Sequence, residues 1–297
     1  MLAVKTIAMG AVGVAALVGG AAPAAAQYYP GYGYGGNQYG QYGYPTNVIG
    51  QVLQSILNPY GQFGYQRGVN PQVARPLNVD LVDVSTPTGR SAILLVVEHA
   101  GRRIPKTLGT LGLPASELDR HIAWDIGADG LARSLSHLLD APLVLQRYSR
   151  LVYDCNRPPE APSAMPEIAE STPVPGNRDL TADEREARTE ALYRPFHAAV
   201  ARLIDAREAR KQGTVLVTVH SFTPVFKGVP RTLDLGLLHD SDARLAELLL
   251  RLCETETDLV VRCNEPYGPE DGVTHTLLLH AIPRRIHNVM LEVRNDL

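Results

Sequence analysis

Ser91-Ala-Ile-Leu-Leu-Val-Val-Glu-His-Ala-Gly101 is an aliphatic run closed by a carboxylate, an imidazole and two small residues. A short continuous apolar run bounded by turn signals reads as a strand buried on both faces, the kind found in parallel sheets. Three more runs share the design. Leu151-Val-Tyr-Asp-Cys155 runs into Asn156-Arg157-Pro158, Thr214-Val-Leu-Val-Thr-Val219 into His220-Ser221-Phe222, and Asn288-Val-Met-Leu291 into Glu292. Open α/β sheets bind ligands in the crevice outside the carboxyl ends of their strands. Strands that end in His, Arg, His and Glu therefore predict one site assembled from distant pieces of sequence. Two imidazoles, a guanidinium and a carboxylate are the parts of a metal hydrolase.

Around these runs, strand-like and helix-like segments alternate, which argues for an α/β domain beginning near residues 76–82. Strands are expected at 92–97, 143–146, 150–155, 215–219, 235–238, 259–262 and 289–293. Helices are expected from 116, over 126–139, from the capping-box pattern Thr181-Ala-Asp-Glu184 to about Lys211, and over 242–254. The segment 274–281 also reads as helical, and 158–177 as a Pro-rich loop. No internal repeat is visible.

The balance of 45% hydrophobic and 20% charged residues, with a net charge of −3, is that of an ordinary globular protein. No basic face or stripe points to nucleic acid. Cys155, Cys253 and Cys263 show no CxxC spacing and read as small buried apolar residues, with a Cys253–Cys263 bridge open in an oxidising compartment. Residues 1–26 have the pattern of a secretory signal: Lys5, an apolar stretch from Ile7 to Gly20, and Ala24-Ala25-Ala26 before Gln27. The stretch is too short and too rich in Gly and Ala to span a membrane well, so a periplasmic or secreted product without a membrane span is expected. Residues 27–75 carry a Tyr/Gly/Gln tract without apolar periodicity, expected to act as a flexible tether. Beyond the tract, Val48-Ile49, Val52-Leu53 and Ile56-Leu57 recur at helical spacing, at most a short amphipathic helix.

Among the polar residues, His99 and His220 each stand at the end of an aliphatic run. Such a histidine is either a hydrogen-bonding residue or a metal ligand. HExxH and HxxE spacings are absent, the latter because Arg102 occupies the glutamate position. Asp125 opens a predicted helix, so N-cap and third ligand compete for it, with His121 a reserve ligand. Arg157, stiffened by two prolines, suits bidentate capture of a carboxylate or a structural ion pair with Asp154 or Glu160. Arg150 and Arg178 are weaker candidates for that task. Glu292, between aliphatics on a strand, must be paired or face a cleft, where it would serve as general base. No GxSxG, Walker or GxGxxG motif is present.

The blocks Val97-Glu-His-Ala-Gly-Arg-Arg-Ile-Pro105, His121-Ile-Ala-Trp-Asp-Ile-Gly-Ala128, Tyr148-Ser-Arg-Leu-Val-Tyr-Asp-Cys-Asn-Arg-Pro158, Thr172-Pro-Val-Pro-Gly-Asn177, Val219-His-Ser-Phe222 and Met290-Leu-Glu-Val-Arg-Asn-Asp296 resemble the N-formylglutamate amidohydrolase family. The resemblance covers roughly residues 84–297. It implies a three-layer α/β/α fold with a mixed central sheet, similar to zinc carboxypeptidases and aspartoacylases. It further implies Zn2+ held by His99, Asp125 and His220, a substrate carboxylate held by Asn156 and Arg157 with Arg150 in support, and Glu292 as base. The implied substrate is a small N-acyl amino acid such as N-formyl-L-glutamate, and the implied context is histidine degradation. An exported peptidase or cell-wall amidase and an inactive domain are the rival expectations. The family continues into a C-terminal helix, whereas this chain stops at Leu297, which implies a domain lacking that helix, with an apolar face exposed.

Overall fold

A computed structural model of the chain describes residues 82–297. The expected signal, the tract at 27–75 and the first residues of the expected domain lie outside the described residues. Seven strands form one sheet: β1 (Val82–Ser85), β2 (Ile93–Val97), β3 (Leu143–Gln146), β4 (Val215–Phe222), β5 (Leu235–Leu238), β6 (Val261–Cys263) and β7 (His287–Arg294). Their spatial order is β1-β3-β2-β4-β7-β5-β6. Strands β3, β2, β4 and β7 run parallel to one another. Strand β1 runs against β3, β5 runs against β7, and β6 follows β5 in parallel. The sheet is therefore mixed, and the carboxyl ends of its four central strands share one edge.

The helices are α1 (Ala115–Leu118), α2 (Ala128–Leu139), α3 (Ala182–Arg188), α4 (Arg194–Ala209) and α5 (Arg244–Glu256). Successive strand side chains point to opposite faces, and both faces are covered. Ile93, Leu95, Val97, Val215, Val217, Val219, Val289, Leu291 and Val293 share a core with Ala132 and Leu135 of α2 and Leu245 of α5. Leu94, Val96, Leu216 and Met290 share the other with Phe196, Val200 and Leu203 of α4. The result is the three-layer α/β/α arrangement. Residues Asn288 to Val293 of β7 are buried throughout. Each fully buried aliphatic contributes about 1.5–3 kcal/mol relative to exposure. The same period of two puts His220 with Leu216, and Glu292 with Met290, on the α4 side.

Several boundaries shift for physical reasons. The predicted strand at 150–155 is not a strand. It is a buried run of turns whose backbone bonds are local or irregular: Val152 N donates to Ser149 O at 2.9 Å, and Asp154 N to Ala164 O at 2.7 Å. Strand β4 runs to Phe222 because β7 pairs with it up to Arg294↔Phe222. The Thr181–Glu184 capping box forms, and the long helix passes through a π-helical turn at Thr189–Tyr193 between α3 and α4. The segment after Thr274 is likewise closed by a π-helical turn, Leu277–Ala281. All three cysteines are free, Cys155 and Cys253 buried and Cys263 half-buried. Among the described residues, no helix is long and apolar enough to cross a membrane.

Candidate metal centre and active-site cleft

The site grows from the ends of β2, β4 and β7. Register pairs Glu292 with His220, so the two side chains stand beside each other on neighbouring parallel strands. His99 follows β2 after Glu98, and its carbonyl accepts from Asp125 N at 2.9 Å, which brings the entry to α2 beneath it. The N-cap position of α2 is taken by Gly127 at φ 86°, without a side-chain cap. The Asp125 carboxylate is therefore not spent on capping. Gly101 allows a close backbone approach: a Cβ there would lie 2.0 Å from Arg147 O. Through this contact the 147–149 segment lies against 101–103, with Ser149 N donating to Arg103 O at 2.8 Å.

The loop at 149–157 has no ladder, yet it is buried. Its carbonyls are satisfied by distant side chains, as buried backbone requires. Asn177 Nδ2 donates to Leu151 O at 2.8 Å, and Arg188 Nη1 donates to Val152 O at 3.3 Å and to Asn177 Oδ1 at 2.7 Å. Ser149 Oγ donates to Ala123 O at 2.7 Å. This frame fixes Arg150, Asp154, Asn156 and Arg157.

Asp125 Oδ2 lies 2.8 Å from His220 Nδ1 and 3.3 Å from His99 Nδ1. One ligand atom from each of these three buried residues lies within 4.8 Å of the others. The remote nitrogens also face carboxylates: His99 Nε2 is 2.7 Å from Asp154 Oδ1, and His220 Nε2 is 3.1 Å from Glu98 Oε2. A neutral imidazole has a single N–H. If that proton goes to Asp154 or Glu98, each Nδ1 lone pair points at the Asp125 oxygen, a repulsive contact unless a cation stands between them. Two imidazole nitrogens and one carboxylate oxygen, each imidazole backed by a second carboxylate, form a donor set that fits zinc. His121 lines the same cleft outside this trio, with its Nε2 3.5 Å from Glu170 Oε2.

Burial alone would raise the Asp125 carboxyl, but His99 and His220 hold it far below its ordinary value. Burial likewise works against a charged His220, but Glu98 and Asp125 hold its imidazole well above the usual value. Glu292 behaves oppositely. Burial and the Asp125 charge raise it to about 7, against the pull of His220 and Arg150. Its Oε2 is buried and has no hydrogen-bond partner among the described residues. A buried, unpartnered carboxylate oxygen beside a cleft calls for water or a ligand.

A cleft of about 290 Å³ opens over this group, and the residues that the family resemblance implies for the site all line it: His99, Asp125, Arg150, Asn156, Arg157, His220 and Glu292. Arg150 bridges Asp125 Oδ1 at 3.3 Å and Asp154 Oδ2 at 2.9 Å. Asn156 is committed to the backbone of the opposite loop, with Nδ2 donating to Val273 O and Oδ1 accepting from Thr276 N. Arg157 Nη1 donates to Asn156 O and, at 2.7 Å, to Gly272 O. Arg178 is exposed and does not line the cleft. Sequence reasoning gave no role to Glu98, which adjoins His99, or to Tyr267, and it made Asp154 a partner of Arg157. The adjacent Glu-His pair was the available signal for Glu98. Asp154 was hidden inside a segment that reads as a strand.

The sequence profile of the N-formylglutamate amidohydrolase family matches residues 91–297. The search of curated proteins found no match. Among solved structures, the chain is similar to the gene product Atu2144 from Agrobacterium tumefaciens at 55% identity, covering 73% of this chain and 86% of that one, with a TM-score of 0.72. It also shares its fold with N-formylglutamate amidohydrolase from Ralstonia eutropha JMP134, at 19% identity over 74% of this chain and 87% of that one, with a TM-score of 0.54.

Proposed function

The chain belongs to the N-formylglutamate amidohydrolase family, and from that premise we propose that it is a zinc-dependent hydrolase of N-formyl-L-glutamate or a related N-acyl amino acid. The observation that carries this reading is Glu292, a buried carboxylate with an unpartnered oxygen beside a His–Asp–His cluster in one cleft. Zinc held by His99, Asp125 and His220 would polarise the scissile carbonyl and lower the pKa of water.

Glu292, raised by burial to about 7, is balanced between accepting and releasing a proton near neutrality. It takes a proton from the water that attacks the acyl carbon, and it returns a proton to the amine nitrogen as the C–N bond breaks. Arg157 has two guanidinium nitrogens, Nε and Nη2, without a bond to described residues. They offer a fork to the substrate carboxylate and so orient the acyl group toward the cluster. Arg150 neutralises Asp125 and Asp154 and keeps both carboxylates in place.

The test joins metal analysis with activity. Purified protein is expected to carry one zinc per chain and to release amino acid from N-formyl substrates. Arg157→Ala is expected to weaken binding of a carboxylate-bearing substrate and to spare a neutral amide analogue. Equal losses on both would remove the role given to Arg157. The pattern from Lys5 to Ala26 supports export, and N-terminal sequencing of exported protein is expected to begin near Gln27.

A further inference from the structure

Glutamate carries two carboxylates, and among the described residues the cleft offers a free cation for one. Arg157 supplies that cation through its unbonded edge. Arg150 already lies between Asp125 and Asp154. His121 is held below its usual value by burial, and Glu170 stands beside it. Arg231 is enclosed by the rings of Phe222, Phe226 and Tyr267, with its guanidinium carbon 4.6–5.4 Å from their centroids, and it does not line the cleft.

The remaining wall is mostly apolar, with Ser221 and Thr223 whose hydroxyls donate to Ile126 O and Val225 O, and its charge is acidic. Phe222, Tyr267, Val273 and Met290 line it, and Asp271 adds an exposed carboxylate at the rim. Asp271 Oδ2 accepts from Gly268 N at 2.9 Å and has no ion-pair partner among the described residues. The bonds from Asn156 to Val273 O and from Arg157 to Gly272 O hold this wall against the cleft floor. A second substrate carboxylate placed here would lose water, meet no donor cation and face a like charge.

We propose that this chain prefers N-acyl amino acids with a single carboxylate and an uncharged apolar side chain, such as N-formyl-leucine, over N-formyl-glutamate. The inference rests on the hydrolase reading above. In it, Arg157 takes the α-carboxylate, and the side chain lies along Phe222, Tyr267, Val273 and Met290 away from bulk water. Asp271 acts as a specificity residue that turns away a second anion.

The test has a catalytic and a binding arm. Zinc-loaded protein is assayed for kcat/KM on the N-formyl derivatives of leucine, lysine and glutamate. Leucine is expected to exceed glutamate by about tenfold or more, the scale on which pocket complementarity separates substrates. Calorimetry on Glu292→Gln, in which turnover is expected to be slowed about a hundredfold or more, is expected to rank the three compounds the same way. Asp271→Asn keeps an oxygen for Gly268 N and removes the charge. It is expected to raise kcat/KM for glutamate relative to that for leucine by about threefold, the worth of an exposed charge contact. Preference for glutamate or lysine in both arms would overturn the inference and leave the hydrolase reading standing. Turnover of none of the three, in protein shown to hold zinc, would overturn the hydrolase reading and this inference with it.

Discussion

Two pairs of histidines are buried, His99 with His220 and His197 with His280, and His220 carries charge in the opposite way to the second pair. His220 has Asp125 at one nitrogen and Glu98 at the other, and those carboxylates hold its imidazole well above its usual value. His197 and His280 meet each other at 2.9 Å, and His197 Nε2 donates to Cys155 O at 2.8 Å. A carbonyl can only accept, so His197 Nδ1 must accept from His280 Nε2–H. Among the described residues, no carboxylate is in hydrogen-bond contact with this second pair. Burial lowers His197 to about 3 and His280 to about 4. Burial is similar at His220 and in the second pair, so the carboxylates decide which imidazole is held charged and which serve as neutral core.

The largest expected effect breaks the comparison at its centre. His99→Ala, Asp125→Ala or His220→Ala is expected to abolish stoichiometric zinc, measured by emission spectrometry on the purified protein, and hydrolysis with it. His197→Gln is expected to keep one zinc per chain, because Gln can donate to Cys155 O and accept from His280. Zinc loss in a folded His197→Gln protein would show that the two pairs are one site.

Next comes Glu292→Gln. This change keeps the shape and the strand register but removes the proton acceptor. Turnover is expected to fall by about a hundredfold or more, the range for loss of a general base, with zinc content unchanged. An unchanged turnover number would remove Glu292 from the chemistry altogether.

What could be read from sequence follows the same division. The runs into His99, His220 and Glu292 were legible because a buried parallel strand leaves a continuous aliphatic trace, and the first polar residue after it marks the sheet edge. The capping box at Thr181 was legible for a similar local reason, whereas the mixed sheet was implied by the family resemblance. The segment 150–155 was misread because its aliphatics mimic a strand, while the bonds that shape it come from Asn177 and Arg188, far along the chain. Asp154 went with it, since its contact with His99 exists only once that loop has turned. Glu98 stood in plain view beside His99, but only the three-dimensional placement of His220 gives it a partner.

Those two carboxylates supply a third, smaller effect. Glu98→Gln and Asp154→Asn leave the trio intact and weaken only the groups that orient it. Each is expected to lower zinc affinity by about 10–100-fold, read by competition with a chelating dye, while a saturating supply of zinc restores activity. Activity that stays absent at saturating zinc would mean that the carboxylate holds more than the orientation of its imidazole.

The smallest effect sharpens the neutral half of the comparison, and its sign follows from linkage. His197 and His280 titrate at about 3 and about 4 in the folded chain, below the ordinary value of 6.5. Below 6.5 the unfolded chain therefore binds protons that the folded chain refuses. Their contribution to stability is complete above 6.5 and is lost as pH falls toward 4 and then 3, at up to about 1.4 kcal/mol per group per pH unit. His197→Gln removes one of the two groups. Between pH 6.5 and 5.5 the wild type is expected to lose about 1 kcal/mol more stability than the variant, measured by urea unfolding of both proteins at equal zinc. Carboxylates elsewhere add their own acid sensitivity, but they are common to the two proteins and cancel in the difference. Identical pH slopes would mean that His197 is protonated in the fold at these pH values, and the contrast between the two histidine pairs would fail.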